Sequence, residues 1–161
     1  MDRQRDIQDY ELLAAVRRRR NDALQAGVRH ARAEHEHCLA RQSASEAAWQ
    51  ACLRDRDAYA AKTHARTTAG RAVRLDELDG ARSHGRVLQG GADSAEEACR
   101  QAVASVDAAL ARYVAACRHL AANEARVLSL AEQADRWKRA AALEMEEREE
   151  DELGDARRVR S

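Results

Sequence analysis

The sequence predicts an all-α fold in which two long helices form an antiparallel coiled-coil hairpin, a rod. The 161-residue chain contains no proline and no phenylalanine. Of its residues, 37 are alanine and only 24 are leucine, isoleucine or valine, too few large apolar side chains to offset the chain entropy of a compact sphere. The abundant residues, led by Ala, Arg, Glu and Leu, are strong helix formers. A β-rich fold is excluded, and a conventional globular enzyme is disfavoured.

The first helix is predicted over about residues 6–78, because nothing in this segment stops a helix decisively. Gly27 and Gly70 are isolated, and Thr67 and Thr68 mark a weak stretch before Gly70. Two rows with a spacing of seven mark the predicted seam. The first is Ile7, Ala14, Asn21, Val28, His35, Gln42 and Trp49. The second is Tyr10, Arg17, Leu24, Ala31, Cys38, Ser45, Cys52 and Tyr59, and it continues after Arg66 to Val73. An adjoining row is alanine: Ala44, Ala51, Ala58, Ala65 and Ala72.

A glycine-rich loop is predicted at about residues 79–93. Gly80, Gly85, Gly90 and Gly91 fall within twelve residues, and each glycine weakens a helix interior by about 1 kcal/mol. Ser94 and Glu97 then have the spacing of a capping box, in which each side chain satisfies the other's backbone donor. The second helix is therefore predicted at about residues 94–153, followed by a short charged tail.

The second helix carries a heptad pattern. One predicted row is Glu96, Val103, Leu110, Cys117, Glu124, Ala131, Lys138, Met145 and Glu152; the other is Cys99, Val106, Tyr113, Leu120, Val127, Ala134, Ala141 and Arg148. With the loop centred near residue 86, facing positions sum to roughly 172, so Trp49 would face the region of Asn123. The four cysteines are expected to be reduced and largely buried, with Cys52 near Cys117 across the seam.

The charge balance and the motifs of the sequence narrow the range of possible functions. The 28 basic and 28 acidic side chains balance, which argues against nucleic-acid binding. There is no signal-peptide pattern and no apolar run of the roughly 20 residues that cross a bilayer, so we expect a cytoplasmic protein without membrane insertion. His30, Glu34, His37 and Cys38 share one helical face, but their spacing matches no established zinc motif. No catalytic arrangement is evident, and we expect neither enzymatic activity, nor a cofactor, nor a metal.

Two charged segments are the candidate partner-binding residues. The basic segment is Arg17, Arg18, Arg19 and Arg20, and the acidic segment, residues 144–152, includes Glu144, Glu146 and Glu147. The arginines are interpreted either as a solvated face or as a contact for an acidic protein surface, with nucleic acid a weaker third choice because no aromatic residues accompany them. The hairpin would place the two segments opposite each other at the end that carries both termini, where pairing between them is the simpler interpretation.

A hairpin of this length and composition, with thinly hydrophobic seams, resembles the central-stalk proteins of bacterial type III secretion and flagellar export (the FliJ/YscO-type family), most closely the Hrp-type members of plant-associated bacteria. The resemblance covers the whole chain and rests on length, architecture and composition. It implies a small cytoplasmic accessory protein, peripheral to a membrane-embedded secretion apparatus. The end with both termini would sit in the hexameric secretion ATPase, and other surfaces would meet the export gate and escort chaperones.

Other classes remain open from the sequence. A self-associating adaptor that forms a four-helix bundle, or a secreted helical hairpin, would have the same composition. An amphipathic protein on a granule or membrane surface would require aromatic-rich apolar faces, which this sequence lacks.

Overall fold

The computed structural model describes residues 2–69 and 73–158, with side chains described for residues 5–69 and 73–152. This part of the chain consists of two long helices, α1 over Asp2–Thr68 and α2 over Leu75–Arg158, and contains no strand. The helices pack against each other, so the predicted all-α helical hairpin is confirmed. The expected tail after residue 153 is helical as far as Arg158, and its last three residues lie outside the described residues.

The helix pair divides into two compact units. Unit 1 comprises Met1–Arg29 and Val114–Ser161, and unit 2 comprises His30–Tyr113. In unit 1, Glu11 pairs with Lys138 and Arg17 with Asn123. Residue numbers therefore rise along α1 while they fall along α2, and the packing is antiparallel.

The packing in unit 2 is antiparallel as well. Glu34 forms an ion pair with Arg112 at 3.6 Å, and Arg66 pairs with Glu77 at 3.7 Å. At the centre of the pair, the rings of His35 and Tyr113 stack with centroids 6.5 Å apart and planes 10° from parallel.

The predicted loop at residues 79–93 is wrong, because this whole segment is helical. Helix α1 ends at Thr68 rather than near residue 78, and α2 begins at Leu75 rather than at Ser94. Ser94 lies inside α2, where the capping function predicted for it does not apply. Four glycines together destabilise a helix by only a few kcal/mol. The packing of this segment against α1 outweighs that destabilisation.

Local interactions mark the helix ends on both sides of the connection. The hydroxyl groups of Thr67 and Thr68 each donate to the carbonyl oxygen of His64 at 2.9 Å, which occupies an acceptor of the last turn of α1. Asp76 and Glu77 stand in the first turn of α2, where negative charge stabilises the positive end of the helix dipole. Thr67 and Thr68 therefore mark the end of α1, and Asp76 and Glu77 mark the start of α2.

The register of the helix pair differs from the predicted one. Facing residues sum to between 140 and 149, as in Arg17 with Asn123 and Glu11 with Lys138, rather than to 172. The cause is the position of the connection, which falls between Thr68 and Leu75 instead of near residue 86. The pairing of Trp49 with the region of Asn123 and that of Cys52 with Cys117 are therefore wrong.

The two predicted rows of α1 are confirmed. Every position of both rows, from Ile7 to Tyr59, is buried or half-buried. The predicted continuation is not confirmed, because Arg66 is exposed and Val73 follows the end of α1. The adjoining alanine row is not part of the seam, because Ala44, Ala58 and Ala65 are exposed and only Ala51 is half-buried; Ala72 lies outside the described residues.

One of the two predicted rows of α2 is confirmed from Cys99 to Ala141, whereas Arg148 at its end is exposed. The other row is displaced by one residue. Val106 and Ala134 of the confirmed row are buried. The second row proves to be Ala95, Ala102, Ala109, Ala116, Asn123, Leu130, Trp137 and Glu144, all buried or half-buried. Val103 and Leu110, which were predicted to lie in this row, are 40% and 43% exposed.

Small side chains make up most of the core. Among the described residues, the buried apolar ones are Ala14, Ala31, Ala92, Ala102, Val106, Ala109 and Ala134. Larger side chains of both helices are half-buried beside them, such as Tyr10 and Leu24 of α1 and Leu120 and Leu130 of α2. The cysteines follow the same trend: all four are free and half-buried, less enclosed than predicted.

Candidate interaction surface of unit 1

Large apolar side chains cluster on the outside of α1 in unit 1. Leu12, Leu13 and Val16 are 64%, 50% and 56% exposed. Positions three and four apart on a helix are neighbours, so Val16 adjoins both leucines. Sequence reasoning missed this cluster because it counted only the residues of the predicted seam.

Two of the four predicted arginines extend this cluster. Arg18, Arg19 and Arg20 are exposed, but helical spacing places only Arg19 and Arg20 beside Val16. We call Leu12, Leu13, Val16, Arg19 and Arg20 the α1 patch. An apolar centre with a basic border is suited to an acidic protein surface that carries exposed apolar side chains.

Arg17 belongs to the helix interface instead. Its Nη1 donates to Oδ1 of Asn123 at 3.3 Å, and its carbonyl oxygen accepts from Nδ2 of Asn123 at 3.0 Å. The same Nδ2 donates to Oδ1 of Asn21 at 2.6 Å. Asn123 is 4% exposed, and a buried asparagine with partners on the facing helix fixes the register of a coiled coil.

The structure does not bring the predicted acidic residues to the arginines. Glu144 is half-buried, while Glu146 and Glu147 are exposed. Because Arg17 faces Asn123, the arginines lie about 30 Å along the helix axis from Glu144 at a rise of about 1.5 Å per residue. The predicted pairing of the two segments within one chain is therefore wrong, and the physical reason is the displaced register.

The two sides of the helix pair in unit 1 differ. On one side, Nζ of Lys138 forms an ion pair with Glu11, and this hydrogen bond and the charge of Glu11 raise the pKa of Lys138 above its ordinary value. Arg18 lines a shallow groove on this side together with both residues. Arg20 lies on the opposite side, because it precedes the core residue Asn21 directly.

A groove in unit 2 is a second surface feature that sequence reasoning missed. Gly85 occupies the core row of Val106, and a Cβ atom built on it meets nothing within 4 Å. The missing side chain leaves an open groove of about 450 Å³ lined by Tyr59, Leu78 and Ala81. The ring of His84 meets that of Tyr59 edge-on at 4.5 Å.

The residues considered for a metal site make other contacts. Nε2 of His30 lies 3.3 Å from a carboxylate oxygen of Glu34, whose other oxygen pairs with Arg112. Within the described part of the chain, no group of three or more His, Cys, Asp or Glu side chains is placed to hold a metal ion.

Comparison with known proteins returns no relative. No protein-family model, no curated protein and no solved structure matches this chain. Neither helix, over its described residues, contains a stretch that is long and apolar enough to cross a membrane.

Proposed function

We propose that this chain is a non-catalytic protein that acts by binding other proteins, as a central stalk of a type III secretion system. The observation that carries the proposal is the α1 patch, in which Leu12 and Val16 are exposed beside Arg19 and Arg20. Exposed leucines bordered by uncovered arginines are typical of a protein-binding surface.

The composition of the core supports a binding role. The fully buried positions of the helix pair are mainly alanine, while several leucine and valine side chains are more than 40% exposed. Alanine contributes little apolar area, so covering the exposed side chains by a partner adds stability that the pair alone lacks.

The hexameric secretion ATPase is the partner we propose for the α1 patch, on the strength of the resemblance to the stalk family. Unit 1 contains the segments next to both termini, and in that family this end enters the ATPase ring. An export-gate protein and escort chaperones are the further partners that the resemblance implies.

The test measures binding to, and stimulation of, a hexameric secretion ATPase. Replacing Arg19 and Arg20 with glutamine keeps helix propensity nearly constant and removes two exposed charges. Two such charges contribute up to about 1 kcal/mol each, so the dissociation constant should rise by roughly five- to thirtyfold. The effect should shrink in high salt.

A matched control replaces Arg41 and Arg54 of unit 2, which are also exposed on α1, and should leave binding unchanged. Equal loss in both variants would show that net charge, not the α1 patch, determines binding. A wild-type chain that never associates with the ATPase would refute the stalk function.

A further inference from the structure

A strip of large apolar side chains runs along one side of unit 2. Leu39, Val103 and Leu110 are 43%, 40% and 43% exposed, and Leu53 is half-buried. We call these four residues the unit 2 strip. Each of them directly follows a residue of the helix interface, namely Cys38, Cys52, Ala102 or Ala109.

Contacts within unit 2 show that the strip residues of both helices share one side. Ala60 and Gln89 also follow interface residues directly, and both line the open groove of this unit. Arg56 crosses the same side, because its Nη1 donates to Oε1 of Gln89 at 3.4 Å. Leu39 lies three heptads before Ala60, and Leu110 lies three heptads after Gln89. In an antiparallel pair, the two leucines therefore stand on this side at the same level.

The apolar side chains of the strip follow one another at heptad intervals. Val103 lies one heptad before Leu110 in α2, and Leu53 lies two heptads after Leu39 in α1. Because the helices are antiparallel, these steps run in the same direction along the pair, at about 10.5 Å each. A helix that presents an apolar residue at every seventh position has the same interval. The strip therefore matches a helix that lies lengthwise along the pair.

The border of the strip is acidic. Glu46 stands opposite Val103, and Asp107 lies one turn from Val103 on α2. Within the described part of the chain, neither of these carboxylates forms an ion pair, whereas Arg32 and Arg100 at the border are each paired with a glutamate of their own helix. Five acidic side chains face these two arginines along the border: Glu36, Glu46, Glu96, Glu97 and Asp107. The excess negative charge favours a basic partner.

The opposite side of unit 2 has a different character. Glu34 and Arg112 form an ion pair across it at 3.6 Å. The neighbouring positions of the same two rows are polar or small, namely Arg41, Ala48, Asp55, Ala98 and Ser105. The two sides of this unit therefore differ, and the heptad-spaced leucines belong to one of them.

We infer that the unit 2 strip binds a basic amphipathic helix of another protein. The apolar residues of that helix lie between Leu39 and Leu110 and over Val103, while its lysine or arginine side chains pair with Glu46 and Asp107. This is the mode in which an amphipathic helix places its apolar face in a groove. A contact of this length belongs to the class of small, transient interfaces.

A second copy of this chain does not supply such a helix. Its α1 patch is apolar and basic, but one heptad after Leu12 and Leu13 stand Arg19 and Arg20, so the apolar residues do not repeat at the interval of the strip. The strip belongs to unit 2 and the α1 patch to unit 1. Binding at the strip is therefore independent of the stalk function proposed for the α1 patch.

The experiment titrates the full-length chain into a fluorescent synthetic peptide and follows fluorescence anisotropy in low salt. The peptide is an alanine-based helix of three heptads with leucine at every seventh position and lysine on both sides of each leucine row. We expect a dissociation constant of about 100 μM or lower, which rises in high salt. Replacing Leu39 and Leu110 with glutamine should raise it at least tenfold, because the apolar contact is lost.

Reversal of the border charges tests the specificity for a basic helix. Replacing Glu46 and Asp107 with lysine should weaken binding of the basic peptide at least tenfold. The same variant should bind a peptide in which glutamate replaces every lysine, and the wild-type chain should not. Circular dichroism should show unchanged helicity in both variants, since all four substituted side chains are exposed.

Matched controls change exposed residues away from the strip. Leu12 and Val87 are replaced with glutamine, and Asp55 and Glu150 with lysine, and both variants should bind the basic peptide as the wild-type chain does. The inference is overturned if a control loses binding equally, if the acidic peptide binds the wild-type chain as well as the basic one, or if the basic peptide does not bind at about 500 μM.

Sedimentation equilibrium of the chain alone tests the other occupant. Self-association that disappears when Leu39 and Leu110 are replaced would show that a second copy covers the strip, and it would overturn the assignment to another protein. Neither measurement contains a secretion ATPase, so failure here and failure of the stalk function are distinguishable.

Discussion

Replacing the glycines of residues 80–91 with alanine should stabilise the protein. Gly80, Gly90 and Gly91 lie inside α2, are exposed, and have open space within 4 Å of a Cβ atom built on each. In a helix interior, alanine is more stable than glycine by roughly 0.5–1 kcal/mol per position. The triple variant should therefore gain about 1.5–3 kcal/mol in the free energy of unfolding, since the positions share no side-chain partner.

Urea denaturation followed by circular dichroism at 222 nm measures this gain as a higher midpoint. Gly27→Ala in α1, where the added Cβ atom also meets nothing within 4 Å, should raise the free energy of unfolding by the amount expected for a single position. The reverse change, Ala104→Gly at an exposed position of α2, should destabilise by a similar amount. A triple variant that is unchanged or less stable would refute the helical assignment, since glycine in a loop gives no such gain.

Two further predictions concern polar contacts in unit 1. Asn123→Ala removes the hydrogen bonds to Arg17 and Asn21 and should lower the free energy of unfolding by about 2 kcal/mol, at roughly 0.5–1.5 kcal/mol for each of three bonds. A double-mutant cycle with Asn21→Ala should show positive coupling between the two substitutions. Strictly additive effects of the two substitutions would contradict the pairing. Lys138→Met should lower stability near neutral pH, where Lys138 is charged beside Glu11. Since folding raises the pKa of Lys138, that deficit should vanish as pH rises through the folded-state pKa; a deficit that persists in the most alkaline buffers would show that packing, not charge, is lost.

The sequence predicts the face of α1 well because its seam contains large side chains at a regular spacing of seven. Tyr10, Leu24 and Trp49 stand out against polar neighbours, so the periodic signal is strong. On α2 the first half of the displaced interior row consists of alanine, from Ala95 to Ala116. Hydrophobicity ranks Val103 and Leu110 above Ala102 and Ala109, and a prediction from hydrophobicity alone therefore shifts the row by one residue.

The position of the turn shows the limit of local propensity. Each glycine lowers the stability of a helix by about 1 kcal/mol at most, whereas packing along two long helices stabilises one register of the whole helix pair. The signal that marks the true end of α1 is Thr67 and Thr68, whose hydroxyls bond to carbonyls of the last turn. Asp76 and Glu77 then mark the start of α2. These signals are weak individually, and only the packed pair shows that they prevail over four glycines.

The arginine run was predicted as one binding segment, yet its distribution around α1 depends on the register. Arg17 lies in the helix interface with Asn123, and Arg18 lies on the side of the Glu11–Lys138 ion pair. Arg20 lies on the opposite side. Four consecutive residues on a helix point in four directions about 100° apart, so the run cannot act as a single surface. Only Arg19 and Arg20 adjoin Val16, which is 56% exposed, and the proposed partner contact therefore depends on these two arginines rather than on the whole run.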